Sequence, residues 1–409
     1  MTPGARAAAA ISILDQVLAG EAAERALTRW ARASRFAGSG DRAAIRDLVF
    51  DALRCRRSHL AASGQGEETG RALIIGGQVA AGRDPGAVLN GQGHAPAPLS
   101  GAEQAALATA SPPDHWPDPV RFDIPDWLDP PLRASLGDDF VTNMTILRQR
   151  APVFARANLG KTDRDGAIAA LAADGVEAVP GPLAATALRL GKGATKLRAT
   201  RAYAEGLVEL QDAASQAVVA ELPLRGCRRV LDYCAGGGGK VLAMAALHPQ
   251  AAYTAHDADP RRMADLPARA ARAGVTVALR DRAGLAEEPP FDLVVLDVPC
   301  SGSGSWRRAP EAKWRLTEAR LAELQTIQAA ILEEGARRVA PGGVLAYMTC
   351  SLLRSENRDQ IDRFRAAHPE WRITAERRLT PADGGDGFYV AILAAPVDKS
   401  SLTSPIHQI

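Results

Sequence analysis

Two cysteines, each just beyond a short apolar run, are the residues of this sequence best suited to covalent chemistry. The first run, Phe291 to Leu296, leads into Asp297-Val-Pro-Cys300, and the second, Val344 to Met348, leads into Thr349-Cys350-Ser351. Apolar runs of this length bounded by turn formers predict buried strands of a parallel sheet. In an open sheet of that kind ligands bind outside the carboxyl ends of the strands. Either cysteine alone reads as well as a packed core residue. Two of them at one sheet edge point to thiolate chemistry, because the thiolate is the strong nucleophile available near neutral pH.

A second group of residues suits a nucleoside-bearing cofactor. Val230-Leu-Asp-Tyr precedes Cys234-Ala235-Gly236-Gly237-Gly238-Gly239-Lys240, which predicts a strand, a glycine turn and a helix start. Glycines let backbone approach a ligand closely, and a helix start offers free N–H groups. The stretch lacks the Gly-Lys-Ser/Thr ending and spacing of a P-loop, which argues against nucleoside triphosphate hydrolysis. The next strand ends at Asp257, about twenty residues on, where a carboxylate suits a ribose diol of either NAD or S-adenosylmethionine. The third ends near Asp281, where a carboxylate could take an adenine amino group.

The elements that must position these groups follow from the rest of the chain. Its 409 residues predict two or three domains. With 46% apolar and 23% charged residues the composition is that of a globular protein. No apolar run approaches the roughly 18 residues of a membrane span. Ala7–Leu18 is interrupted by Asp15, so an export signal is not expected, and the reading is a cytoplasmic protein. The five cysteines are an odd number without zinc-ligand spacing, which fits a reducing compartment and predicts no metal.

From Ala5 to about Leu60, apolar residues at helical spacing predict a bundle, with Asp41 as a helix cap. Its arginines, from Arg25 to Arg57, are either a solvated face or a nucleic-acid-facing patch. Glycines and prolines between residues 63 and 119 mark loops. A helix is expected from about Pro131 to Arg150. A strand, a helix capped by Thr162 and a second strand at Val176–Val179 then form a small unit. From Arg228 strands and helices alternate, which predicts a mostly parallel sheet with helices on both faces.

Three segments carry a resemblance to a known family: Asp232-Tyr-Cys-Ala-Gly-Gly-Gly-Gly-Lys, Asp297-Val-Pro-Cys-Ser-Gly-Ser-Gly-Ser-Trp-Arg-Arg-Ala-Pro-Glu-Ala-Lys-Trp, and Thr349-Cys-Ser-Leu-Leu-Arg-Ser-Glu-Asn. They resemble the Nop/Sun family of RNA cytosine-5 methyltransferases, and the chain as a whole resembles the bacterial type that modifies small-subunit ribosomal RNA. The resemblance implies an α/β fold: a Rossmann-like class I methyltransferase domain at 206–396. Before it come an all-α NusB-like RNA-binding domain at 1–125 and a small α+β RNA-recognition-like domain at 126–205, and a flexible tail follows at 397–409. It further implies S-adenosylmethionine as cofactor and RNA, first of all 16S ribosomal RNA, as partner, with the enzyme acting as a monomer. Transfer RNA, or a non-catalytic role in ribosome assembly, are the alternatives.

Roles carry over with the motifs. Cys350 would add to C6 of cytosine and Cys300 would assist product release. Asp297 would hold the base edge near the cofactor, and Lys240 would orient the base. Cys234, Ala235, Gly236, Gly237, Gly238, Gly239 and Lys240 would cradle the amino-acid part of the cofactor, with Asp257 on the ribose and Asp281 near adenine. Two departures stand out: the family's loop has a proline that is absent between Ala235 and Lys240, and Val298 replaces the alanine that follows the motif aspartate.

Overall fold

The computed structural model describes residues 1–397, which form two compact units. One unit holds residues 1–150 together with 306–316, and the other holds 151–305 and the chain from Thr317 onward. Of the expected tail, residues 398–409 lie outside the described residues.

The first unit is helical. Helices α1 (Pro3–Leu18), α2 (Ala23–Ala33), α3 (Ser39–Arg54), α4 (Arg56–Ser63) and α5 (Gly70–Ala80) lead it. Ala7, Ala10, Ile13 and Leu14 of α1 meet Ile45, Val49, Ala52 and Leu53 of α3 and Leu73 and Ile74 of α5 in one core. The i, i+3, i+4 spacing of these residues buries one stripe of each helix. Asp41 is not the cap expected of it. Gly38 holds that position in α3, and Asp41, in the first turn, accepts the amino terminus of Met1 at 3.1 Å and Arg6 at 2.8 Å. The single helix expected from Pro131 to Arg150 is two, Asp129–Leu136 and Phe140–Leu147, because Gly137 turns the chain with φ +56°. Several arginines of the expected patch are paired, namely Arg29 with Glu21, Arg46 with Glu24, Arg56 with Glu68 and Arg57 with Asp126.

Residues 306–316 follow the Cys300 turn in sequence, yet they complete this helical unit. Glu311 accepts the N–H of Ala23 at 3.0 Å, at the start of a helix whose own N-cap, Ala22, supplies no side chain. At the far end of α3, the Trp314 indole donates to Leu53 O at 2.6 Å and Lys313 Nζ to Arg54 O at 3.2 Å. A carboxylate at a helix start and a cation at a helix end satisfy orphan backbone groups and oppose the helix dipole. Burial brings the Lys313 pKa down to about 8, against the opposing pull of Asp123.

The second unit carries two sheets. Strands β1 (Val153–Ala157), β2 (Ala178–Pro180), β3 (Ala187–Leu190) and β4 (Val208–Leu210) form an antiparallel sheet in the order β2-β3-β1-β4. It has two strands beyond the strand–helix–strand pattern legible beforehand. Its helix, Arg164–Ala173, is capped by Asp163, not Thr162, through Gly166 N at 2.7 Å.

The larger sheet contains β5 (Arg229–Asp232), β6 (Ala252–Ala255), β7 (Val277–Leu279), β8 (Phe291–Asp297), β9 (Val339–Thr349), β10 (Arg372–Leu379) and β11 (Phe388–Ala394). Its order is β10-β11-β9-β8-β5-β6-β7. The run from β9 to β7 is parallel, while β10 and β11 are antiparallel. Leu293 and Val295 of β8 face one core, and Val294 and Leu296 face the other, so the strand is covered on both sides. This is the expected Rossmann-like α/β architecture. Among the described residues no helix is long and apolar enough to cross a membrane, and no group of His, Cys, Asp or Glu is arranged to hold a metal ion.

Trp314→Phe keeps an aromatic face, trims the indole to a phenyl ring and removes its N–H, leaving Leu53 O without that donor. We expect a loss of about 1–3 kcal/mol in urea unfolding followed by far-ultraviolet circular dichroism.

Candidate active site

The site is built at the carboxyl ends of β5, β8 and β9. Parallel pairing sets Asp297 opposite Met348, so the turn after β8 and the turn after β9 emerge side by side. Cys300 and Cys350 sit on those turns, both half-buried, with their sulfurs 3.5 Å apart. Gly304 N donates to Cys350 O at 2.9 Å and holds the turns together. The thiol of Cys300 is pushed well above its ordinary pKa, first by its hydrogen bond with Cys350 and then by burial. Thus the two sulfurs singled out from the sequence meet in one place.

Lys240 and Asp297, separated by 57 positions, form an ion pair with Nζ–Oδ2 of 2.5 Å. Burial alone would lower the Lys240 pKa, but Asp297 outweighs it and the net shift is upward. The Lys240 ammonium also lies 4.7 Å from the centroid of the Phe388 ring. It is therefore held as a fixed cation by a carboxylate and an aromatic face.

The glycine turn is shaped for close approach. Gly236 and Gly238 have φ of +50° and +82°, and a Cβ on Gly238 would come within 2.2 Å of Leu266 Cδ1. Asp257 is buried and accepts Gly236 N at 2.9 Å and Asp259 N at 3.0 Å. Arg262, which sequence reasoning did not single out, pairs with Asp257 at 3.0 Å. The missing proline has a structural counterpart: Arg269 donates to Gly237 O and occupies the space a side chain there would need. Glu209 of β4 holds Arg272 at 2.8 Å and reaches Arg269 at 3.4 Å. The small sheet thereby braces the glycine loop. Val298, the other departure, is buried and donates its N–H to Met348 O at 3.0 Å.

Asp257 and Asp281 line one cavity of about 890 Å³, with Tyr233, His256 and Ile331 among its other walls. Asp281 is exposed and caps the helix Arg282–Ala286 through Gly284 N at 2.8 Å. Tyr233 and His256 pack with ring centroids 4.9 Å apart. A further carboxylate, Asp232 at the end of β5, was missed as a site residue, although it lies inside the glycine motif. It is fully buried, and no side chain hydrogen-bonds to its two oxygens among the described residues. Burial, with Asp297 next in weight, raises its pKa to about 7, and Lys240 acts in the opposite direction.

Comparisons with known proteins decide what this site belongs to. The family model described as 16S rRNA methyltransferase RsmB/F matches residues 220–394, and the ferredoxin-like domain of RsmF/B-like methyltransferases matches 124–195. Ribosomal RNA small subunit methyltransferase B of Salmonella arizonae is 33% identical over 287 residues, covering 67% of each chain. The chain belongs to the RsmB/F methyltransferase family. The crystal structure of PH0851 shares the fold with a TM-score of 0.74 at 23% identity, over 96% of this chain and 99% of that one. A methyltransferase homologue from Pyrococcus horikoshii shares it with a TM-score of 0.59 at 23% identity, over 68% of this chain and 97% of that one. The family makes this chain an S-adenosylmethionine-dependent methyltransferase.

The residues present fit that cofactor. A buried carboxylate without a side-chain partner suits a cationic amino-acid head, the glycine turn leaves room for it, and two further carboxylates stand along the adjoining cavity.

The Asp232 shift sets a pH dependence. Its folded pKa of about 7 lies above the unfolded 3.8, so the native state keeps the proton longer. Stability from this group is complete below pH 3.8 and is lost as pH rises through 7. Asp232→Asn should remove that fall, leave the ligand-free protein more stable than wild type at pH 8 by a few kcal/mol, and weaken S-adenosylmethionine binding. Urea titrations at pH 5 and pH 8, with a calorimetric binding titration, check all three.

Proposed function

We propose that this protein methylates C5 of a cytosine in 16S ribosomal RNA through a covalent adduct between Cys350 and C6 of the base. The observation that carries the reading is the approach of two sulfurs to 3.5 Å on a cofactor-binding sheet edge. The names of the family and of the Salmonella relative support ribosomal RNA as the substrate. The exposure of Cys300 and Cys350 is partial, so a base must leave its stack, or lie in single-stranded RNA, to reach them.

C5 of cytosine is a poor nucleophile. Addition of the Cys350 thiolate to C6 forms an S–C6 bond and moves the C5–C6 π electrons to C5. S-adenosylmethionine, when bound, supplies an electrophilic methyl on sulfur. Once C5 carries the methyl, a base takes the C5 proton, the double bond re-forms, and the S–C6 bond breaks to return the thiolate. Cys300, whose proton is held tightly, assists that release. Asp297 holds the edge of the base, and Lys240, fixed against it, orients the ring. The turn from Cys234 to Lys240 and Asp232 hold the amino-acid part of the cofactor, Asp257 the ribose and Asp281 the adenine end. We also read the helical unit as a NusB-like RNA-facing domain.

Incubation with methyl-labelled S-adenosylmethionine and unmodified 16S ribosomal RNA should place label in 5-methylcytosine, and no label in cytosine would sink the proposal. Cys350→Ala should abolish turnover. Cys300→Ala should also stop turnover but leave a protein–RNA complex that survives a denaturing gel.

A further inference from the structure

One fully buried carboxylate near the thiols has no role in the chemistry above. Glu356 is 0% exposed. Its Oε1 accepts Ser301 N at 2.8 Å and Gln328 Nε2 at 3.0 Å. Its Oε2 accepts the hydroxyls of Ser301 and Ser351, each at 2.5 Å. Four donors thus converge on one carboxylate, which matches its acceptor capacity. Ser301 is the residue after Cys300, and Ser351 is the residue after Cys350. Gln328 extends the same knot by donating to Pro299 O at 3.0 Å, on the other side of Cys300.

We propose that Glu356 is a positioning residue: its carboxylate ties the Cys300 turn to the Cys350 turn and holds the two sulfurs in the relation that adduct release requires. The inference rests on the function proposed above and adds to it a residue that touches neither base nor cofactor.

The two turns do not depend on Glu356 equally. The Cys350 turn is also fastened by Asn357, which accepts from Thr349 Oγ1 at 2.5 Å and donates to Ser351 O at 2.9 Å. It continues directly from β9, a strand paired on both sides. The Cys300 turn donates two bonds to the carboxylate through Ser301 and is bridged to it a third time by Gln328 at Pro299 O, while further ties to the Cys350 segment, Ser303 Oγ accepting Leu352 N at 2.7 Å and Gly304 N donating to Cys350 O at 2.9 Å, lie three and four residues past Cys300. Loss of the carboxylate therefore releases Cys300 more than Cys350. Addition should persist while release fails.

The test uses the full chain with S-adenosylmethionine and unmodified 16S ribosomal RNA, comparing wild type, Glu356→Gln, Glu356→Asp and Ser351→Ala. For Glu356→Gln we expect kcat to fall at least 100-fold while KM for RNA and the affinity for S-adenosylmethionine stay within about threefold. A protein–RNA complex stable on a denaturing gel should accumulate, as in Cys300→Ala. Glu356→Asp, which keeps the charge on a shorter stem, should recover part of the turnover and accumulate less complex. Ser351→Ala, which removes one of the four donors, should lie between wild type and Glu356→Gln and provides the reading if Glu356→Gln does not fold. Wild-type turnover in Glu356→Gln, or a parallel loss of cofactor binding and of adduct in all three variants, would overturn the positioning role. Absence of cytosine methylation by the wild type would instead overturn the proposed function, and the two failures are thus separable.

Discussion

The site depends on the parallel register of β8 against β9. Leu296 lies opposite Tyr347 and Asp297 opposite Met348, and both strands stop within a few residues of that point. Because side chains alternate along a strand, a slip of one residue would exchange the faces of Leu293, Val294, Val295 and Leu296. Each face is buried in its own core, so the register is fixed from both sides. The thiols meet because two apolar strands can pack in only one alignment. The chemistry at the sheet edge is thus a by-product of packing far below it.

Charge at this edge is balanced by side-chain pairs except at one carboxylate. Asp232 is buried, with Asp297 and Asp257 near it and Lys240 among them, and burial first, then Asp297, makes it hold its proton to about pH 7. Carboxylates in that number are costly without cations. Arg262 relieves Asp257 and Lys240 relieves Asp297, which leaves Asp232 as the group that a bound cation would complete. The glycine turn carries no such charge of its own and relies on Arg269 to hold its carbonyl.

What could be read from the sequence was local. The strands β5, β8 and β9 announce themselves as apolar runs, and the alternation of strands and helices places the residues that end them at one edge. The glycines and the two cysteines carry their meaning in their type and spacing. What could not be read was set by distant partners. Glu356 sits inside the motif that follows β9, yet only folding brings Ser301 and Gln328 to its carboxylate. Nothing in the sequence sets Asp232 apart within the glycine motif; its burial does. The helix expected across Pro131–Arg150 failed at Gly137, where a positive φ overrode the apolar periodicity. Thr162 lost its capping place to the next residue, a boundary that propensity cannot fix to within one position.

Residues 306–316 have a consequence for how this protein can be divided. They belong to the chain between β8 and β9, but their aromatic and charged side chains complete the helices at the amino-terminal end. A fragment beginning at residue 151 would present Trp314 and Lys313 to solvent as an unsheltered strap, and a fragment ending at residue 150 would leave the last carbonyls of α3 without those donors. Neither half is a self-sufficient module. Truncation at the apparent seam would trade one folded chain for two sticky, frayed ones, and any graft of this catalytic fold onto another scaffold would have to carry its helical companion along.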